Sequence, residues 1–98
     1  LFIRAALGHA YALAGNTTAA REILAELLAL TETQHVSPYD IAILHSVLNE
    51  KNEAFAALER AFASRSEALV WLKVDPRLDP LRHDRRFIDL LRRVGLPL

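Results

Sequence analysis

The chain has 98 residues, no net formal charge, no cysteine and no methionine, and 52% of it is hydrophobic. Such a length predicts one domain, such an apolar content predicts a packed core, and the charge balance argues against bulk electrostatic capture of nucleic acid or an anionic membrane. The absence of cysteine removes disulfides, thiolate nucleophiles and thiolate–zinc sites together, and it fits a reducing, cytoplasmic setting.

Taken in order, the first element is a helix with Ile3, Ala6, Leu7, Ala10, Tyr11 and Ala14 at i, i+3, i+4 spacing, read as its buried face. Gly15 and Asn16 stop it, because both tolerate left-handed backbone, and Asn16 or Thr17 can cap the next helix. There Ala20, Ile23, Leu24, Leu27, Leu28 and Leu30 form a wide apolar stripe that fades at TETQH, residues 31–35. A third helix has Ser37 as N-cap, Pro38 in its first turn and Asp40 close behind, with Val36 and Ile41 placed as a hydrophobic staple. It runs through Ile43, Leu44, Val47 and Leu48 to a break at Asn49-Glu50. A fourth turns Ala54, Phe55, Leu58, Ala61 and Phe62 inward and ends at Ser64-Arg65-Ser66. ALVWLKV is too short to read as a strand and is expected to form a turn of helix. In the remainder, Asp75-Pro76, Asp79-Pro80 and Asp84 are each expected to cap a helix start. Gly95 and Pro97 end the last helix. No apolar run approaches the roughly 20 residues of a membrane span, and no signal peptide opens the chain. The start at LFIRAALGHAY, without methionine, predicts a piece of a longer protein.

Sliding the sequence by 34 places Leu7 on Ile41, Gly8 on Ala42, Gly15 on Asn49, Ala20 on Ala54 and Leu24 on Leu58. Recurrence of small residues beside large apolar ones describes a helix hairpin that buries its faces by stacking on its neighbours. LGHAYALAGNTTAAREILAELLAL resembles a tetratricopeptide repeat, with Leu7-Gly8, Tyr11, Gly15, Ala20 and Leu24 at that repeat's signature spacing. YDIAILHSVLNEKNEAFAALERAF resembles a degenerate copy, keeping Ala54, Leu58 and Ala61 but with Ala42, His45 and Asn49 where Gly, Tyr and Gly are usual. The resemblance implies an all-α fold of antiparallel helix-hairpin repeats, a right-handed superhelix, with repeats at 1–34 and 35–66 and a capping segment at 67–98. The closing segment also looks like the end of repeat arrays in bacterial multidomain regulators that carry winged-helix, adenylate-cyclase or kinase domains. None of those output domains lies in this chain.

The stretch WLKVDPRLDPLRHDRRF, residues 71–87, concentrates the residues that suggest chemistry. Asp75, Asp79, His83 and Asp84 could serve as acids or bases, yet each aspartate has a capping role at hand, so no catalytic residue is expected. His9, His35, His45 and His83 are scattered, without a His-x-x-x-His pair, so no metal or cofactor is expected. Arg77, Arg82, Arg85, Arg86, Arg92 and Arg93 could meet phosphates, but Asp79, Asp84 and Asp89 are interleaved, and Asp89 with Arg93 is spaced for a helix-surface pair. Leu69, Trp71, Leu72, Val74, Leu78, Leu81, Phe87, Leu90, Leu91 and Val94 are read as the apolar inside of a cap over the end of the array.

What remains is a protein-interaction module without catalysis. The resemblance implies a concave groove lined by Phe2, Ala5, His9 and Leu13 and by Tyr39, Ile43, Ser46 and Val47, suited to a peptide or amphipathic helix. Ala5 and Asp40 stand where the family's carboxylate clamp would have other residues, so no clamp is expected. A second surface, Leu1, Ile3, Leu7 and Ala10, would be left apolar and open where no hairpin precedes it, and would support a homodimer. The alternative is a structural cap or spacer in a larger enzyme or regulator.

Overall fold

The helices start and stop where local chemistry directs. The computed structural model describes residues 2–34 and 36–95, with side chains from Ile3 onward. Five α-helices, α1 (Phe2–Leu13), α2 (Thr17–Leu30), α3 (Pro38–Val47), α4 (Lys51–Ala63) and α5 (Arg85–Val94), are joined by two short 3₁₀ helices, Glu67–Trp71 and Pro76–Leu81, between α4 and α5. Among the described residues there is no strand, so the all-α expectation holds. Asn16 caps α2 by accepting from the Ala19 amide, Asp84 caps α5 by accepting from Arg86, and Gly95 ends α5 in left-handed geometry. Gly15 and Asn49 close the first and third helices with φ of +86° and +62°. These are two residue types that enter this region readily.

α3 is the centre of the molecule. It pairs with α4 as α1 pairs with α2, packs on α1 and α2, and carries Pro76–Leu81 on its remaining side. Tyr39 and every residue from Ile41 to Ser46 are buried, as a helix apolar all round requires. Gly8 allows the close approach of α1. A methyl group there would sit 2.9 Å from Leu44 Cδ2 and 3.1 Å from Ile23 Cγ2. α5 runs alongside α4 in the same direction, since Arg86 reaches Asn52 and Arg93 reaches Glu59, both across 34 residues. Leu72, Leu78, Leu81, Phe87 and Leu90 complete the core.

Several expectations are corrected. The regular stripe on α1 faces outward: Ile3, Ala6, Leu7, Ala10, Tyr11 and Ala14 are exposed. The helix packs through Ala5 and Gly8, whose small size lets the backbones approach. Trp71 and Val74 are 62% and 65% exposed and do not join the inside of the cap. A 3₁₀ helix of five residues turns only Leu69 inward. Ser37 precedes α3 without a side-chain cap bond. Asp79 lies within the Pro76–Leu81 helix and bonds Arg82 rather than capping a new start. Arg93 pairs with Glu59 on α4, not with Asp89.

Candidate functional site

The polar centre is Asp75, whose side chain is 4% exposed. It accepts a hydrogen bond from the Tyr39 hydroxyl at 2.7 Å, bonds from Arg77 Nε and Nη2 at 3.0 and 2.8 Å, and the Arg77 amide at 3.0 Å. Burial by itself would raise the Asp75 pKa. The bonds from Arg77 and Tyr39 outweigh it and hold the carboxyl down at about 2. Burial, and then the bond to Asp75, pushes the Tyr39 hydroxyl above its ordinary range. Ser46 donates to the Arg77 carbonyl at 3.3 Å, and Arg82 donates to the carbonyls of Lys73 and Asp75. Among the described residues no buried side-chain polar atom is left without a partner, and the bonds from Tyr39 and Ser46 lock this part of the tail onto α3.

That lock decides the fate of the expected groove. Tyr39, Ile43 and Ser46 are buried, Tyr39 and Ser46 bonded to Asp75 and Arg77, so these three do not line an open groove. Ala5 is buried as well. His9 and Val47 are half-buried, and Leu13 is 70% exposed. The Phe2 side chain lies outside the described residues. Uncovering α3 would expose Leu72, Leu78 and Leu81, each at 0% exposure. At about 1.5–3 kcal/mol per buried aliphatic side chain, the cost is comparable to the whole stability of a small domain, about 5–15 kcal/mol. The tail is a fixed part of the core, not a removable lid.

What remains of the groove is a small pocket of about 130 Å³ between α1, α3 and the tail, lined by Ala5, Ala6, His9, Asp40, Ile43 and Arg77. Burial raises the Asp40 pKa, with the Arg77 charge opposing it. Burial, assisted by Arg77 and opposed by Asp75, lowers that of His9. No hydrogen bond contributes to either shift.

The arginine face is largely neutralised. Arg77, Arg82, Arg86 and Arg93 pair with Asp75, Asp79, Asp84 and Glu59. Arg86 and Arg93 also lie over the rings of Phe55 and Phe62 at 4.4 and 5.3 Å from the centroids. They clasp α5 to α4. No ion pair is formed by Arg85 or Arg92 among the described residues. His45 bonds Glu50. Among the described residues no three histidine, aspartate or glutamate side chains converge as metal ligands. His35 lies outside the described residues.

An apolar surface lies on α1. Ile3 is 79% exposed, Leu7 38% and Tyr11 37%, and Ala6, Ala10 and Ala14 lie open beside them. Leu1 lies outside the described residues. A cleft at the border of this face is lined by Arg4, Leu7, Tyr11, Glu22 and Glu26, with Arg4 paired to Glu26. No described helix is long and apolar enough to cross a membrane. Comparison of the chain with protein-family models, curated proteins and solved structures gives no match.

Proposed function

We propose that this chain is a protein-interaction module of stacked tetratricopeptide-like hairpins, a superhelical array closed at its C-terminal end and open at α1, where it associates with a second copy of itself. One observation carries the reading. Leu7, Ala10 and Tyr11 are exposed, while the residues 34 positions on, Ile41, Leu44 and His45, are buried in α3, the helix that packs on α1 and α2. The surface that glues the second hairpin to the first has, on the first, no neighbour among the described residues.

The C-terminal elements cover α3 and α4, so head-to-tail growth from copy to copy is blocked. The symmetric alternative is α1 against α1 about a two-fold axis. A twelve-residue helix is about 18 Å long and offers less than the roughly 800 Å² per partner of a standard interface, so the dimer is weak and forms in the micromolar range. Sedimentation velocity across that range tests the reading. Growth of a species of twice the 11.0 kDa chain mass, abolished by Leu7→Glu, supports it, and a monomer at every concentration overturns it.

The second reading, a structural cap or spacer within a larger bacterial regulator or enzyme, is supported by the closed C-terminal end. In that reading a preceding hairpin of the larger protein covers the α1 face, and the isolated chain is then expected to show that face without a specific partner of its own. Neither reading includes catalysis. Direct nucleic-acid contact is disfavoured by the pairing of four of the six tail arginines.

A further inference from the structure

We infer that the pocket between α1, α3 and the tail is a receptor for a protonated lysine side chain of a partner polypeptide. Two side chains able to accept line it, the Asp40 carboxylate and the His9 imidazole, and Ala5, Ala6 and Ile43 supply apolar walls. Arg77 also lines the pocket, but its guanidinium is held bidentately by the Asp75 carboxylate through Nε and Nη2, which offsets its charge. Arg77 is paired with Asp75, whereas Asp40 forms no ion pair among the described residues and is the carboxylate of the lining left to meet a cation.

The arrangement excludes other small ligands on physical grounds. A carboxylate would meet Asp40 without a free cation to offset it. A metal ion would find two ligands from the described residues, fewer than a stable site requires. An ammonium group donates in three directions and relieves the cost that burial imposes on the Asp40 carboxylate. The volume of about 130 Å³ equals roughly four water molecules at liquid density, which accommodates the ammonium and the end of its stem. The alanine and isoleucine walls suit methylenes and favour a lysine stem over an amino terminus, whose α-carbon is followed at once by a polar peptide group. The inference does not rest on α1 self-association, and the two are read by different assays.

The test is an NMR titration of the intact chain with Nα-acetyl-lysine N-methylamide, with its Nζ-acetylated form, and with leucine N-methylamide, whose only amine is the α-amino group. Saturable shifts of the His9 ring and of the Ala6 and Ile43 signals are expected with the first compound, with half-saturation on the order of 1–10 mM for a ligand of that size. The acetylated form should give none. Asp40→Asn, folded by the criterion of an unchanged spectrum away from the pocket, should weaken binding roughly tenfold or more. Absence of saturable shifts, equal shifts with the acetylated compound, or insensitivity to Asp40→Asn would overturn the assignment, as would tighter binding of the leucine amide.

Discussion

Replacing Tyr39 by phenylalanine removes one oxygen atom and keeps the ring in the core. The lost bond, from the hydroxyl to Asp75 Oδ2 at 2.7 Å, is made to a buried carboxylate, and bonds of that kind are worth about 1.5–3 kcal/mol. Oδ2 keeps its bond from Arg77 at 2.8 Å and is not orphaned, which places the expected loss at the lower end, about 1.5 kcal/mol. For a domain of this size that is a fall in Tm of roughly 6–12 °C. Urea unfolding followed by far-ultraviolet circular dichroism measures it as a shift of midpoint at unchanged slope. Asp75→Asn removes the charge that Arg77 and Tyr39 both engage and is expected to cost more, about 2–4 kcal/mol. In the double variant the Tyr39→Phe effect should shrink by roughly half or more. A Tyr39→Phe loss below about 0.5 kcal/mol, or full additivity with Asp75→Asn, would refute the reasoning that residues 73–82 are locked to α3 through this carboxylate.

The same node sets a pH dependence. The Asp75 pKa is about 2 in the folded chain against an ordinary 3.8. Its contribution is therefore complete above pH 4 and is lost as pH falls toward 2, where the unfolded chain takes up the proton first. Allowing for solvent screening, roughly 1–2 kcal/mol should disappear over that window, and Asp75→Asn should flatten that part of the stability–pH curve. Gly8→Val should destabilise by about 2 kcal/mol or more by overpacking α1 against Leu44 and Ile23, and unfolding midpoints no lower than wild type would contradict the close approach there. Trp71 is the single tryptophan and is 62% exposed. Its fluorescence should resemble hydrated indole and be readily quenched by iodide, and Trp71→Ala should cost less than about 1 kcal/mol.

How far the sequence disclosed all this follows from the range of each interaction. Capping by Asn16 and Asp84, the stop at Gly95 and the turn at Asn49 depend on residues within four positions, so they were legible. The α1 stripe was legible as a stripe, but periodicity marks an apolar face without saying what lies against it. The packing side was instead signalled by the small residues Ala5 and Gly8. Asp75-Pro76 and Asp79-Pro80 are the same local signal, and the choice between them was made by Tyr39, 36 residues from Asp75, a contact that no local rule supplies. Arg93 likewise found Glu59, not Asp89, because α5 lies along α4. One clue to the closed groove was present. α3 reads PYDIAILHSV, apolar on nearly every side, and such a helix is covered on every side, while Tyr39 and Ser46 within it needed buried partners. The pocket formed by His9, Asp40 and Arg77 draws on three separated segments and had no sequence signature beyond Asp40 standing where the repeat family has other residues.

The open face of α1 is read most directly by sedimentation velocity. From about 10 to 500 µM, the wild-type chain is expected to shift progressively from monomer toward a species of twice the 11.0 kDa chain mass, while Leu7→Glu, folded by circular dichroism, stays monomeric. A wild-type chain that sediments as a monomer throughout, or a Leu7→Glu chain that associates as wild type does, would contradict association through that face.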